Sequence, residues 1–348
     1  MAYWTTSALL ASQSRILGSM TEPELRRLAT PTMATLLKNQ QFLQPGLADI
    51  KPTDSRTNST YILDKSSHSV GSARAYNHTG SKGASTKVDL TWTTHSADFN
   101  ISLKNADNNL FNWNELFDNE VKSALIALHE NMESTATAWL NTNRTQDITP
   151  TTPLTATWDD SAYIVGVAAA DADYFVQVVK AFMWENKYKG MLDMVCDPKL
   201  YVILERALYQ GDANSTNLGF QFQNVNIMPT TGAVATAIDG YTGLCFVFPS
   251  NTVGAMNWIP RLNREGKQTN LYTYDAMGDL FGLPITWATH VYEAGADNQS
   301  LGGERQDVDE EWEFSTDISM LKAQFHRVRM KVLFINLAYC QHKNRRAK

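Results

Sequence analysis

Residues 118–144, DNEVKSALIALHENMESTATAWLNTNR, decide how the rest of the chain is read. Apolar or small residues fall at Val121, Leu125, Leu128, Met132, Thr135 or Ala136, and Trp139, a spacing of three and four that marks one face of a helix. Asp118 is placed to cap its start, with Asn119 and Glu120 in the first turn, where the helix dipole favours negative charge. About 24 residues at about 1.5 Å each give a rod of about 36 Å. Lys122, Glu130 and Asn131 fall on the opposite face. The rod is therefore expected to lie across a surface and to present its other side to solvent or a partner.

The segments before the rod change character twice. Residues 1–50 hold short helical pieces such as EPELRRLATPTMATLLKNQ, interrupted by Pro23, Pro31 and Pro45, with Pro23 suited to a first helical turn. Leu25, Leu28, Met33, Leu36 and Leu37 are too few to form a core, so this arm must dock on something. Residues 51–88 then carry eight serines and three glycines, a composition that by itself suits a flexible linker. The β-formers Tyr61, Ile62, Val88, Leu90, Trp92, Phe99 and Ile101 bracket that polar stretch, and two strands joined by a polar tip fit equally. An isolated hairpin is marginal in water, so another subunit is expected to hold it.

After the rod, DADYFVQVVKAFMWENKYKG places Phe175, Val178, Val179, Phe182 and Met183 on one helical face, with Gly190 as its C-terminal cap. Asp197-Pro198 starts a second helix that ends near Gly211. FQNVNIMPT, GLCFVFPS and AMNWIP read as strands, which makes residues 155–265 an α+β block. The last segment is β-rich, with a strand through Ile285, Trp287 and Val291. An acidic run follows (Glu304, Asp307, Asp309, Glu310, Glu311, Glu313, Asp317), in which the alternating Asp307, Asp309 and Glu311 are read as a solvated face or one that pairs with a neighbour's basic face rather than as a cation site. RVRMKVLFI then alternates Arg327, Arg329 and Lys331 with Val328, Met330 and Val332, a half-buried strand with a basic open face. From residue 320 onward there are eight Lys or Arg and no Asp or Glu, a segregation that fits either DNA or acidic subunit surfaces.

Chemistry is hard to find in this chain. No GxSxG, P-loop, GxGxxG, HExxH, paired CxxC or EF-hand loop occurs, and the seven histidines are isolated from one another. His129, within the rod, is expected to be an exposed or hydrogen-bonded helix residue and not a ligand. Cys196, Cys245 and Cys340 are odd in number and far apart, so neither a disulfide framework nor a zinc site follows. The 348 residues, 43% hydrophobic with net charge −6, suit a globular chain, and no apolar run of about 20 residues suggests a membrane span. The N-terminus lacks a basic segment before an apolar core and is a poor signal peptide. No enzyme, metal or cofactor is expected.

The order of parts resembles the major capsid proteins of tailed double-stranded-DNA bacteriophages, which have the Hong Kong 97-type fold. The resemblance implies an α+β chain: 1–50 the N-terminal arm, 51–107 the extended loop, 108–154 the spine helix with part of the peripheral domain, 155–265 the axial domain and 266–348 the peripheral domain. FDNEVKSALIALHENMESTATAWL would be the spine helix. The resemblance implies self-assembly into pentamers and hexamers of an icosahedral virion head, made in the host bacterial cytoplasm. Packaged DNA would be met non-specifically on the inner surface. Scaffold and portal proteins are implied partners, the scaffold as a separate protein because no long charged leader precedes the arm, and there is no membrane partner. Tyr61, Ile62, Trp92, Phe99, Glu130 and Trp139 become assembly-interface candidates. Arg327, Arg329, Lys331, Arg345 and Arg346 become a charge-paired or DNA-facing surface. Lys65, Lys82 and Lys87 lie in the loop where some relatives form Lys–Asn crosslinks, but the sequence identifies no partner Asn or assisting Glu, so no crosslink is predicted. The alternatives are an encapsulin-like nanocompartment, a small-oligomer α+β enzyme with a dispersed site, and a secreted carbohydrate-binding protein.

Overall fold

The long helix begins at Trp113, earlier than Asp118, and runs to Thr142. A computed structural model describes residues 6–21, 30–39, 59–64, 74, 83–102, 112–143, 156–159, 164–168, 174–185, 189–211, 224–231, 243–258, 272–278, 283–294, 307–322 and 339–340. Its helices are α1 (Thr6–Ser19), α2 (Pro31–Lys38), α3 (Trp113–Thr142), α4 (Phe175–Glu185) and α5 (Pro198–Gly211). Its strands are β1 (Ser59–Asp64), β2 (Ala84–Asp89), β3 (Thr93–Ser102), β4 (Ala156–Asp159), β5 (Ile164–Ala168), β6 (Leu192–Cys196), β7 (Val225–Pro229) and β8 (Cys245–Pro249). They continue as β9 (Val253–Trp258), β10 (Tyr272–Gly278), β11 (Pro284–Ala294), β12 (Asp307–Lys322) and β13 (Tyr339–Cys340). The fold is α+β.

Asn112, not Asp118, caps α3. Its side chain accepts the Glu115 N–H at 3.0 Å, and the Glu115 carboxylate accepts the Asn112 N–H at 3.0 Å. This reciprocal pair satisfies two donors that a helix start leaves open. The extra turn lengthens the apolar face by Phe117, so 30 residues make a rod of about 45 Å. The buried side includes Phe117, Val121, Leu125, Leu128, Met132, Ala136 and Leu140. Each large apolar side chain so buried contributes about 1.5–3 kcal/mol before entropy is counted.

The rod lies on a five-stranded antiparallel sheet ordered β10-β11-β12-β3, with β9 also paired to β12. The 16 residues of β12 span about 53 Å, slightly more than the rod. Asp317 and Ile318 pair with β3 and β9 at once, so β9 takes over the edge that β11 occupies further back along β12. Between rod and sheet Phe99 stacks on Trp312 at 6.1 Å, Trp113 stacks on Phe117 at 4.9 Å, and Phe117 meets Trp312 edge-on at 5.0 Å.

Asp307 to Asp317 of the acidic run thus lie along the central strand of this sheet, and Glu304 lies outside the described residues. Even-numbered Trp312, Phe314 and Ile318 enter the core, while Glu311 is exposed and Glu313 half-buried. Glu311 is thus on the open side as expected, while Glu310 and Asp317 are buried.

A second, three-stranded sheet, β7-β6-β8, has apolar side chains on both faces. Val195, Phe246 and Phe248 join the core beneath α3, whereas Met194, Cys196, Cys245 and Val247 join a core under α4 and α5. Alternation along each strand therefore welds two cores through one sheet. Phe175, Val178, Val179, Phe182 and Met183 are buried on α4 as expected. The described part of α4 ends at Glu185, Gly190 sits in a bend, and the stretch between them, on which the expected cap depends, lies outside the described residues. At α5, Asp197 caps as expected, accepting the Leu200 N–H at 2.8 Å. β9, grouped by its sequence with residues 155–265, is bonded instead into the five-stranded sheet.

The arm docks on its own chain. Leu9 and Ile16 of α1 and Met33 and Leu36 of α2 belong to the core beneath α3. The expected hairpin forms as β1 and β2, in register from Ser59↔Asp89 to Asp64↔Ala84, and constitutes a sheet by itself. The β-formers from Val88 to Ile101 fall in two strands, β2 giving way to β3 across residues 90–92. The Pro23 helix start and the RVRMKVLFI strand lie outside the described residues.

Gly243 sits where a Cβ would lie 2.9 Å from the Leu200 Cβ and 3.0 Å from its backbone N and Cα. Gly243→Ala is expected to lower stability by about 1–3 kcal/mol through overpacking of α5. Urea unfolding should read this as a lower midpoint with unchanged slope.

Candidate functional site

The polar interactions that organise the molecule converge on α3. Glu133 faces inward and is 1% exposed. Its Oε1 accepts the Thr32 N–H at 3.2 Å and its Oε2 accepts the Met33 N–H at 3.2 Å, both at the start of α2. The Thr230 hydroxyl, just past β7, donates to Oε1 at 2.6 Å. Thr30, the N-cap residue of α2, makes no side-chain cap bond, so the carboxylate from another helix fills that role. A buried carboxylate is tolerated here because three donors and the positive end of a helix dipole surround it. Further along α2, the Thr35 hydroxyl reaches the Met228 sulfur at 2.8 Å and Asn39 Nδ2 donates to the Val253 carbonyl at 3.0 Å. A helix of 8 residues is thereby tied to α3, β7 and β9.

Asp118, expected as a cap, is instead the anchor for α1. Arg15 donates to its two oxygens from Nε and Nη2, each at 2.9 Å, and the Ser12 hydroxyl donates to it as well. The bond to Asp118 raises the Arg15 guanidinium pKa further. With Arg15 half-exposed, the fork serves to fix geometry more than to stabilise.

His95 of β3 is buried, with Nδ1 2.7 Å from Asn131 Oδ1 on α3. Given an oxygen acceptor, Nδ1 carries the proton. Burial pushes the His95 pKa down, and the Asn131 bond and the charge of Asp317 partly offset this. His129 is buried on the core side of α3 and does not face solvent.

The six interface candidates separate in space. Tyr61 and Ile62 lie in the ribbon, opposite Lys87 and Thr86. Glu130 is exposed on the outer face of α3. Phe99 and Trp139 pack against the core beneath α3. Trp92 packs with Leu90 and Met256 in a satellite cluster at the root of the ribbon, its ring 5.7 Å from Trp258. Arg327, Arg329, Lys331, Arg345 and Arg346 lie outside the described residues. Sequence reasoning missed Asn112, Glu133 and Arg15. Only Asn112, three residues before Glu115, had a local signal.

An open cleft of about 540 Å³ lies along the sheet at Asp98, Asn100, Thr289, Glu311 and Glu313. Among the described residues no group of three or more His, Cys, Asp or Glu is arranged to hold a metal. The carboxylate of Glu133 is enclosed by donors, a geometry for holding parts together.

No protein-family model and no curated protein matches the sequence. Solved structures to which the chain is similar include phage capsids. A chain of Mycobacterium phage Che8 matches at 11% identity, over 86% of this chain and 90% of that one, with a TM-score of 0.49. The capsid of Ralstonia phage GP4 matches at 9% identity, over 83% and 85%, with a TM-score of 0.44. The mature capsid of bacteriophage PhiM1 matches at 10% identity, over 82% of each chain, with a TM-score of 0.40.

Two outcomes follow. Glu133→Ala should cost about 2–4 kcal/mol, because three buried donors lose their acceptor, and Glu133→Gln about half that; chemical unfolding measures both. The His95 pKa is lowered on folding, so below about pH 6.5 the unfolded chain takes up a proton that the folded chain refuses. Stability should fall with acid by up to about 1.4 kcal/mol per pH unit, levelling off below the folded pKa. His95→Gln should remove that part of the slope in unfolding curves taken across this range.

Proposed function

We propose that this chain is a major capsid protein of the Hong Kong 97-type architecture. It assembles into pentamers and hexamers that build the icosahedral head around a double-stranded DNA genome. The observation that carries this reading is the β1–β2 ribbon, which among the described residues is a two-stranded sheet of its own, beside a body whose rod, arm and five-stranded sheet share one core. A two-stranded ribbon is marginal in water by itself, so in this reading a neighbour stabilises it. Ala84, Ser85, Lys87 and Asp89 are exposed along it, and the Lys87–Asp89 ion pair at 3.3 Å, lying in water, holds little.

In this reading residues 1–50 are the arm, 51–107 the extended loop, 108–154 the spine helix and adjoining peripheral elements, 155–265 the axial domain, and 266–348 the peripheral domain. Strand β9 crosses from the axial segment into the peripheral sheet. Tyr61, Ile62 and Glu130 meet neighbouring subunits, while Trp92, Phe99 and Trp139 act from inside by fixing the root of the loop and the lie of the rod. Arg327, Arg329, Lys331, Arg345 and Arg346 face DNA or an acidic subunit surface. Scaffold and portal proteins are the other partners, and the chain is made in the host cytoplasm before it enters the virion. Many modest contacts, summed over a closed shell, suffice to hold it.

Deleting residues 64–84 should leave a body that folds with near-native unfolding behaviour yet forms no stable shells in negative-stain electron microscopy. Normal particles from the deletion would overturn the role given to the ribbon.

A further inference from the structure

We propose that Cys196 and Cys245 are a latent cross-strand disulfide, a modification site that a small two-electron oxidant of the peroxide class closes. The two residues are direct partners in the antiparallel β6–β8 ladder, so their side chains leave the sheet on the same face. The Asp197 N–H donates to the Leu244 carbonyl at 2.9 Å, one residue outward on each strand. That bond marks Cys196↔Cys245 as a non-hydrogen-bonded pair, the closer of the two kinds, with Cα atoms typically about 4.5 Å apart. Such a spacing lies within the range that a disulfide spans. Neither residue is in a disulfide, and both are fully buried in the core under α4 and α5.

What keeps the pair open is local. The Cys196 thiol turns toward β7 and donates weakly to the Met228 carbonyl, Sγ to O 3.6 Å, so a rotation about its Cα–Cβ bond is needed to bring it toward β8. Burial first, and the charge of Asp197 second, push its pKa up to about 12, which keeps it protonated and slow to react. Reaction therefore runs through the fraction of molecules in which the α5 side opens. One thiol attacks peroxide, the O–O bond breaks, and a sulfenic acid and water form. The second thiol then displaces hydroxide from that sulfur, giving the S–S bond and a second water, with both thiol protons ending in water. The bridge ties β6 to β8 within the sheet that joins the two cores, and it closes a long loop, where chain-entropy stabilisation is greatest.

The test uses the full chain carrying Cys340→Ser, treated with hydrogen peroxide, alkylated and digested without reduction. The expected result is one linked peptide pair joining Cys196 to Cys245 and a Tm raised by about 5 °C, reversed by dithiothreitol. Cys245→Ala in the same background should lose both effects, and comparison of the oxidised and re-reduced chain carries the test by itself if that variant does not fold. Recovery of the two cysteines as separately alkylated or over-oxidised peptides would overturn the proposal.

Discussion

One buried carboxylate sets the arrangement of everything else. Glu133 stands on the inner face of α3 and receives donors from the start of α2 and from the residue after β7. A charge in a dry interior must be surrounded by donors or it destabilises the fold by several kcal/mol. That requirement fixes where α2 begins, how it crosses the rod, and where the three-stranded sheet abuts it. The helix so placed then reaches β9 through Asn39, and β9 is hydrogen-bonded to the long strand β12. Rod, α2 and both large sheets are thus linked through one side chain that is 1% exposed.

The consequence is a body with rigid spans and one outlier. A rod of about 45 Å lies over a strand of about 53 Å, aromatic rings fill the space between them, and a second sheet shares its residues between two cores. From this body the β1–β2 ribbon departs at Trp92, whose ring is seated among Leu90, Met256 and Trp258. A stiff base carrying a strand pair that, among the described residues, joins no larger sheet is the feature on which the proposed shell reading rests.

Much of this was legible in the sequence because periodicity survives without tertiary context. The face of α3, the buried side of α4, the Asp197 cap and the ribbon strands followed from spacing and turn chemistry. The start of α3 was misplaced because Asp118 has cap chemistry, while the true signal, Asn112 with Glu115, lay a little further back. β12 was hidden because its charges mask an alternation that runs through Trp312, Phe314 and Ile318. Glu133 and Arg15 carried no signal at all. Their partners lie about a hundred residues away, and nothing local distinguishes a glutamate that meets a distant helix start from one that meets water.

The most direct test of the shell reading is a cryo-electron microscopy reconstruction of particles formed by the purified full chain, traced through residues 59–89. The account predicts closed shells of pentamers and hexamers in which the ribbon of each subunit lies on an adjacent one. A uniform small particle, or a shell in which each ribbon folds back on its own subunit, would contradict it.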